Sequence, residues 1–128
     1  HEPGGLAAIA IASGRVRWSA PPIRTACSFG ARGCNSAQSQ AATLIPGAVF
    51  SGAQDGHLRA YAADDGRVLW DFDTARAFPT VNGVAAVGGS LDHGGPVVVD
   101  GVLYVLSGYG RINGQPGNLL LALSVDGK

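Results

Sequence analysis

A thirteen-residue pattern occurs twice in this chain without gaps, at positions 6–18 and 58–70. The two copies share Leu, two Ala, Gly, Arg, Val and Trp at equivalent positions, and Trp18 and Trp70 are 52 residues apart. A third copy begins at Leu119, and its Ala122 is one residue closer to its glycine, Gly127, than the equivalent Ala of the other copies. The sequence ends at Lys128 before a third Trp, which predicts that it is part of a longer repeat protein.

Each copy predicts a β-hairpin, because a short apolar strand is followed by a glycine turn at Gly14 or Gly66 and by a second strand that ends in Trp. Residues 48–51 predict another strand before the second copy. Before the third copy, the dipeptide Asp100-Gly101 lies between two Val-rich strands and favours a two-residue hairpin turn. Four short antiparallel strands are therefore expected in each repeat.

A repeat of this length with four strands is typical of the blades of a β-propeller, so the predicted fold class is all-β, a partial propeller. The absence of Met, the 20 glycines and 46% hydrophobic residues agree with that class. A Trp at the same place in each blade predicts packing between blades rather than a substrate platform. The predicted divisions are the end of one blade at 1–18, one blade at 41–72, the start of the last blade at 96–128, and inter-blade loops at 19–40 and 73–95.

Charge and hydropathy argue against two classes of partner. Nine basic residues balance nine acidic ones, and no basic run occurs, so neither nucleic acid nor an anionic membrane surface is expected. The longest apolar stretch, residues 6–12, is too short to span a bilayer.

Cys27 and Cys34 lie in a Gly- and Ser-rich segment, and we expect them to form a disulfide, with two free thiols as the alternative.

The spacing at Ala8, Gly14 and Trp18, repeated in the second copy, resembles the tryptophan-docking motif of quinoprotein propellers, A-x-D-x-x-x-G-x-x-x-W. Both copies depart at the third position, where Ala10 and Ala62 stand in place of Asp. Four further stretches resemble the polyvinyl-alcohol-dehydrogenase-like family of alcohol dehydrogenases that depend on pyrroloquinoline quinone (PQQ). They are residues 49–61, 80–84, 107–110 and 116–118.

This resemblance implies an eight-bladed propeller that holds PQQ and a calcium ion at one end of its axis. Such an enzyme oxidises an alcohol, for example polyvinyl alcohol, and passes the electrons to cytochrome c. The chain would supply the C-terminal blades of a periplasmic or secreted protein, would pack against the remaining blades, and would be inactive alone. The calcium ligands, the catalytic Asp and any haem c would lie in the rest of the protein. The alternative is a non-enzymatic propeller of the same repeat type that binds protein partners.

Strand alternation predicts that the loops following second and fourth strands of the blades open on the same end, where the family binds PQQ. In the loop 108–117, bare backbone at Gly110, a cation at Arg111 and the amide of Asn113 are candidate PQQ contacts. An ordinary exposed Arg is the alternative at position 111. Asn82 and Gln38 are further candidates, although Asn82 precedes a Gly and equally fits a turn.

The local sequence suggests a role for each of three carboxylates. Asp55 precedes a glycine and is predicted to be a turn residue, and Asp71 is expected to face solvent. Asp92 and His93 could form an acid-base pair on the cofactor end, with an ordinary solvated loop as the alternative. No catalytic residue or metal ligand is predicted within this chain.

Overall fold

The computed structural model of the protein describes residues 3–24, 27–30, 34–110 and 113–125, and every regular element in these ranges is a β-strand. No helix in the described ranges is long and apolar enough to cross a membrane. The strands are β1 (Leu6–Ile9), β2 (Val16–Ala20), β3 (Thr43–Ile45), β4 (Ala48–Gly52), β5 (His57–Ala62), β6 (Val68–Asp73), β7 (Ala77–Phe78), β8 (Ala86–Val87), β9 (Val97–Val99), β10 (Val102–Ser107) and β11 (Leu119–Ser124).

Strands β3 to β6 form one complete four-stranded antiparallel sheet in the order of the sequence. This arrangement is a propeller blade and confirms the predicted all-β fold. Strand β3 was not predicted, because it has only three residues and lacks a period-two pattern. The turn from β3 to β4 uses Gly47, whose φ of 84° is easily adopted by glycine.

The two copies of the repeat have the same backbone structure. In β1–β2, Ala8 is paired with Trp18 and the register shifts by one residue immediately afterwards, and in β5–β6 the pair Ala60 and Trp70 shows the same shift. The turn glycines also correspond, with φ of 66° at Gly14 and 75° at Gly66. Sequence repetition therefore extends to the β-bulge that twists each hairpin.

The third sheet contains β9, β10 and β11 in antiparallel order. Asp100 and Gly101 connect β9 to β10 with φ of 48° and 77°, which is the predicted two-residue turn. The strand at the start of the third copy is also present, as β11.

The hydrophobic core lies between the complete blade and the third sheet. It contains Leu58, Leu91, Leu103, Val105, Leu119 and Leu121, with Phe50, Phe72 and Phe78 packed at its edge. The two sheets approach each other through β3 and β9, the first strand of each. Since blades of a propeller converge on the axis through their first strands, this edge is the inner edge.

Trp18 connects the β1–β2 hairpin to the complete blade. Its indole Nε1 donates a hydrogen bond of 3.0 Å to the carbonyl of Ala63, and its ring covers Gly66, where an added Cβ would lie 2.4 Å from the ring. The prediction that this Trp packs between blades is confirmed. Trp70 stacks on Phe72 at 5.3 Å and lines an apolar cavity of about 550 Å³ between the blade and the third sheet.

The segment predicted as a loop after β6 contains an additional two-stranded ribbon, β7–β8. Asn118 fixes this ribbon to the loop before β11, because its side-chain oxygen accepts a hydrogen bond of 2.9 Å from the Val87 amide. Two paired residues per strand are too few for a sequence pattern to reveal them.

Cys27 and Cys34 form a disulfide, with their Cα atoms 5.6 Å apart, so the alternative of two free thiols is wrong. The Ser28 hydroxyl donates a hydrogen bond of 2.9 Å to the carbonyl of Ala75 and attaches this loop to the end of the complete blade.

Replacing Cys27 and Cys34 together with Ser should lower the free energy of unfolding by about 2 kcal/mol, because the short closed loop restricts the unfolded chain. Urea unfolding of the complete protein measures this difference. A thiol reductant should destabilise the unsubstituted protein by a similar amount and leave the double variant unchanged. Equal stability of the two proteins without reductant would contradict the prediction.

Candidate functional site

Loops from four parts of the chain meet at one end of the sheets. The Gln40 amide donates to the Gly52 carbonyl at 3.2 Å, the Leu91 amide to Ala53 at 3.1 Å, and the Gly108 amide to Ser90 at 3.1 Å. The prediction that loops after second and fourth strands open on the same end is therefore confirmed.

Ser90 is the central connection among these loops and is fully buried. Its hydroxyl donates to the Gln54 carbonyl at 2.7 Å and accepts from the Gln115 amide at 2.8 Å. Its carbonyl also accepts hydrogen bonds from the amides of Gly108 and Tyr109. With its donor and acceptors all used, Ser90 fixes three loops relative to one another.

A second buried contact supports the same loops. The Thr74 hydroxyl donates to the Gly56 carbonyl at 2.7 Å and lies 2.7 Å from the hydroxyl of Ser107. Ser107 in turn accepts a hydrogen bond of 2.9 Å from the Gly89 amide. Only glycine fits at Gly88, since a Cβ there would lie 1.8 Å from the Thr74 carbonyl oxygen. The loops after β2, β4, β6 and β10 therefore form a preorganised surface at this end of the sheets, which is called the platform below.

His93 lies on this platform at the inner edge, immediately before β9. Its carbonyl accepts a hydrogen bond of 2.9 Å from the Ala41 amide, and residues 40 and 93 form a parallel β-bridge between the segments that lead into β3 and β9. The φ of His93 is 64°, in the left-handed region, which costs a side-chain-bearing residue roughly 1–2 kcal/mol. The surrounding hydrogen bonds maintain this strained backbone.

His93 has two side-chain neighbours. Its Nδ1 lies 3.2 Å from Oδ2 of Asp92, and its ring stacks on Tyr109 with centroids 5.1 Å apart and an interplanar angle of 28°. Asp92 is nearly buried, whereas the side chains of His93 and Tyr109 are each 43% exposed. The sequence indicated the Asp-His pair, but gave no signal for Tyr109, which comes from a different loop.

The predicted PQQ contacts Gly110 and Asn113 lie in the loop after β10. Both are exposed, and Asn113 has a left-handed φ of 67°. The base of this loop is narrow, since the Gly117 amide donates to the Gly108 carbonyl at 2.9 Å. Arg111, the predicted cation, lies outside the described residues. Gly110 and Asn113 therefore remain candidates on the platform.

Asn82 and Gln38 lie away from that loop. Asn82 is in the exposed turn between β7 and β8, where its side-chain oxygen accepts from the Val84 amide at 3.2 Å, and it lines a groove beside β11. The turn interpretation fits this geometry. Gln38 has its amide atoms buried near the hydroxyl of Tyr61, on the face of the blade opposite Leu58. The structure does not bring these two residues together with Gly110.

A buried charge network on β5 and β6 was missed by the sequence interpretation. Arg59 is fully buried, with its guanidinium 3.1 Å from Oδ2 of Asp55 and 2.9 Å from Oδ2 of Asp71. The other oxygen of Asp71 lies 2.6 Å from Nδ1 of His57. Asp71 is exposed, as predicted, but strand pairing also places it directly opposite Arg59, so it is an ion-pair partner as well.

The two acids favour the charged form of Arg59. Burial alone would lower the pKa of this guanidinium, but the hydrogen bonds and charge attraction of Asp55 and Asp71 outweigh burial, so its pKa is raised. For Tyr61 burial acts in the opposite direction and raises the pKa of the phenol, and the neighbouring Arg59 charge offsets only part of this rise. Asp55 also accepts the His57 amide at 2.9 Å, so it is a turn residue as predicted and a buried ion-pair partner in addition.

Within the described part of the chain, no group of three or more His, Cys, Asp or Glu side chains could hold a metal ion.

Comparison with known proteins identifies two similar dehydrogenases. The chain is 45% identical over 133 residues to a polyvinylalcohol dehydrogenase of Pseudomonas sp, and 43% identical over 137 residues to one of Sphingopyxis sp. (strain 113P3). Both alignments include 97% of this chain and 21% of the relative, so the chain spans about a fifth of the length of these proteins.

A sequence-family model, PQQ_2, described as outer membrane protein assembly factor BamB, matches residues 54–127. The matched range includes strands β5 to β11, the buried charge network and the platform loops that follow β6 and β10. Because this match covers more than half of the chain and agrees with the four-stranded blade, the chain belongs to the PQQ_2 family of β-propeller repeat proteins.

Proposed function

We propose that the chain supplies the C-terminal blades of a PQQ-dependent alcohol dehydrogenase and one wall of its quinone pocket. The observation that carries this proposal is the 45% identity to a polyvinylalcohol dehydrogenase along 97% of the chain. That length includes the platform loops, and such loops are where a propeller commonly carries its ligand site. Polyvinyl alcohol or a related secondary alcohol is the proposed substrate.

The residues of the platform fit one side of a planar, anionic quinone. Gly110 exposes bare backbone, and Asn113 exposes an amide that can donate hydrogen bonds to a carboxylate. Both belong to a loop whose base is fixed by the hydrogen bonds of Ser90. When bound, PQQ would accept the electrons that leave the alcohol, while these residues would orient it and exclude water from one side.

The remaining elements of the proposal concern the rest of the protein. A calcium ion beside the quinone would take its ligands from other blades, because the described residues provide no such cluster. Cytochrome c is the proposed electron acceptor, and haem c could be carried elsewhere in the protein. The Cys27–Cys34 disulfide supports a periplasmic or secreted location, since disulfides persist in oxidising compartments.

Titration of the complete protein with PQQ and calcium, while dye reduction by an alcohol is followed, tests this function. We expect reduction that depends on both additions and saturates with the alcohol. Isolated residues 1–128 should show no activity under the same conditions. The absence of quinone-dependent reduction with polyvinyl alcohol and with simple secondary alcohols would refute the enzymatic function.

A second candidate is a non-enzymatic propeller that binds protein partners, favoured by the family model's description as an assembly factor. That function would use the outer surface and the exposed edges of strands, not the platform. Capture of a specific protein by the complete chain without any quinone binding would support it over the dehydrogenase.

A further inference from the structure

We propose that Asp92, His93 and Tyr109 form a subsite that binds the hydroxyl-bearing chain of a polyol substrate beside the quinone pocket. This inference rests on the proposed function, because it places a second binding surface next to the reacting alcohol. None of the three residues is among the predicted quinone contacts.

The position of the three residues favours ligand binding over blade packing. His93 precedes the inner strand β9 and its ring stacks on Tyr109, which follows β10, so the pair lies on the end where the platform loops meet. Their backbones are fixed by Ala41 and Ser90, respectively. The stacked residues are nevertheless each 43% exposed, and the adjoining Gly94 and Gly110 are exposed as well. A rigid support beneath an exposed aromatic pair is typical of binding surfaces.

The available polar atoms match hydroxyl groups. Asp92 interacts with Nδ1 of His93, which leaves Nε2 on the opposite side of the ring. In the described ranges of the chain, neither Nε2 of His93 nor the Tyr109 hydroxyl has a hydrogen-bond partner. An imidazole nitrogen and a phenol can each accept or donate a hydrogen bond, as an alcohol hydroxyl requires.

The charge of the surface favours a neutral ligand over an anionic one. The carboxylate of Asp92, 3.2 Å from the imidazole, disfavours an anionic ligand at this place. The flat faces of the two rings can cover the hydrocarbon backbone of a polyol, while the two polar atoms contact its hydroxyls. A polymer of alternating hydrocarbon and hydroxyl groups satisfies both requirements, whereas an alcohol with a single hydroxyl uses only the reacting position.

The test uses the complete protein loaded with PQQ and calcium, and the variants Tyr109→Ala and His93→Ala. For polyvinyl alcohol, each should raise KM about tenfold while kcat changes little, which corresponds to the loss of one or two hydrogen bonds and a ring contact. KM for a secondary alcohol with one hydroxyl should not change. Tyr109→Phe should give an intermediate KM for the polymer, because it retains the ring.

Tyr104→Ala is the matched control, since Tyr104 lies on β10 and is 39% exposed, close to the value for Tyr109. It should leave both KM values unchanged. If Tyr109→Ala and Tyr104→Ala affect the polymer equally, the subsite is wrong. Unchanged unfolding midpoints in urea would exclude misfolding as the cause of a raised KM.

Direct binding separates failure of the subsite from failure of the proposed function. Calorimetric titration of the quinone-free protein with polyvinyl alcohol should show binding that is weakened about tenfold by Tyr109→Ala and unaffected by Tyr104→Ala. If the loaded protein oxidises no alcohol but this pattern is observed, the dehydrogenase proposal fails and the subsite stands. No binding of the polymer by the unsubstituted protein would overturn the subsite even if oxidation occurs.

Discussion

Replacing Asp55 with Ala should lower the free energy of unfolding by about 4 kcal/mol, the largest effect expected from any single change described for this chain. Asp55 and Arg59 are both fully inaccessible to solvent, and their side chains are 3.1 Å apart. The substitution leaves the buried guanidinium with less compensating charge and also removes the acceptor of the His57 amide. Urea unfolding of the complete protein, followed by tryptophan fluorescence, measures the change.

A solvent-exposed Asp-Arg pair provides a matched control. Asp65 and Arg67 are 3.3 Å apart, with side chains 53% and 66% exposed, and Asp65 also accepts a backbone hydrogen bond in a turn. Asp65→Ala should therefore cost about 1 kcal/mol or less, because water screens the exposed pair. Asp55→Asn, which retains an acceptor for His57, should lie between the two alanine variants. Similar losses for Asp55→Ala and Asp65→Ala would show that burial does not strengthen the first pair.

The repeat made much of the fold predictable. Trp18 and Trp70 fix the alignment of the two hairpins, and the glycines at their turns fix the turn positions, so four strands and both turns follow from local sequence. The ribbon β7–β8 and strand β3 could not be predicted, because their pairing depends on contacts with distant loops rather than on a periodic pattern.

The buried charge network could have been found from strand register. Pairing of Ala60 with Trp70 places Arg59 opposite Asp71, and Arg59 replaces an alanine, Ala7, of the first copy. Once the register places a carboxylate opposite this arginine, an ion pair between the two strands is expected. Asp55 belongs to the same network, but its loop resembles an ordinary turn, so only the tertiary structure reveals its burial.

The platform was only partly predictable, for a different physical reason. Alternation of strand direction determines which loops share one end, and this required no side-chain information. The stacking of His93 on Tyr109, in contrast, depends on how the loop before β9 bonds to the loop after β10 through Ser90. Such contacts between irregular segments leave no period in the sequence, so Tyr109 could not be grouped with the Asp92–His93 pair from the sequence.

Gly66→Ala should destabilise the protein by about 3 kcal/mol, because two separate costs act at this position. The φ of 75° disfavours any residue with a Cβ, and the added Cβ would lie 2.4 Å from Cε3 of Trp18. The Trp18 ring is rigid and is held by the 3.0 Å bond from its Nε1 to Ala63, so it must move and weaken that bond. The substitution would therefore weaken the contact between the β1–β2 hairpin and the blade formed by β3–β6, and this lost contact is part of the destabilisation.

Gly14→Ala separates these two costs, because Gly14 is the equivalent turn position of the first copy. Its φ is 66°, yet an added Cβ would meet no atom within 4 Å, so only the backbone cost of about 1 kcal/mol is expected. The difference of about 2 kcal/mol between the variants, measured by urea unfolding, is then the contribution of close Trp18 contact. In Gly66→Ala the fluorescence of Trp18 should also shift to longer wavelength as its ring leaves the glycine, whereas Gly14→Ala should retain the original spectrum. Equal destabilisation by the two substitutions, with unchanged spectra, would mean that the indole does not require a bare glycine to hold the first hairpin against the blade.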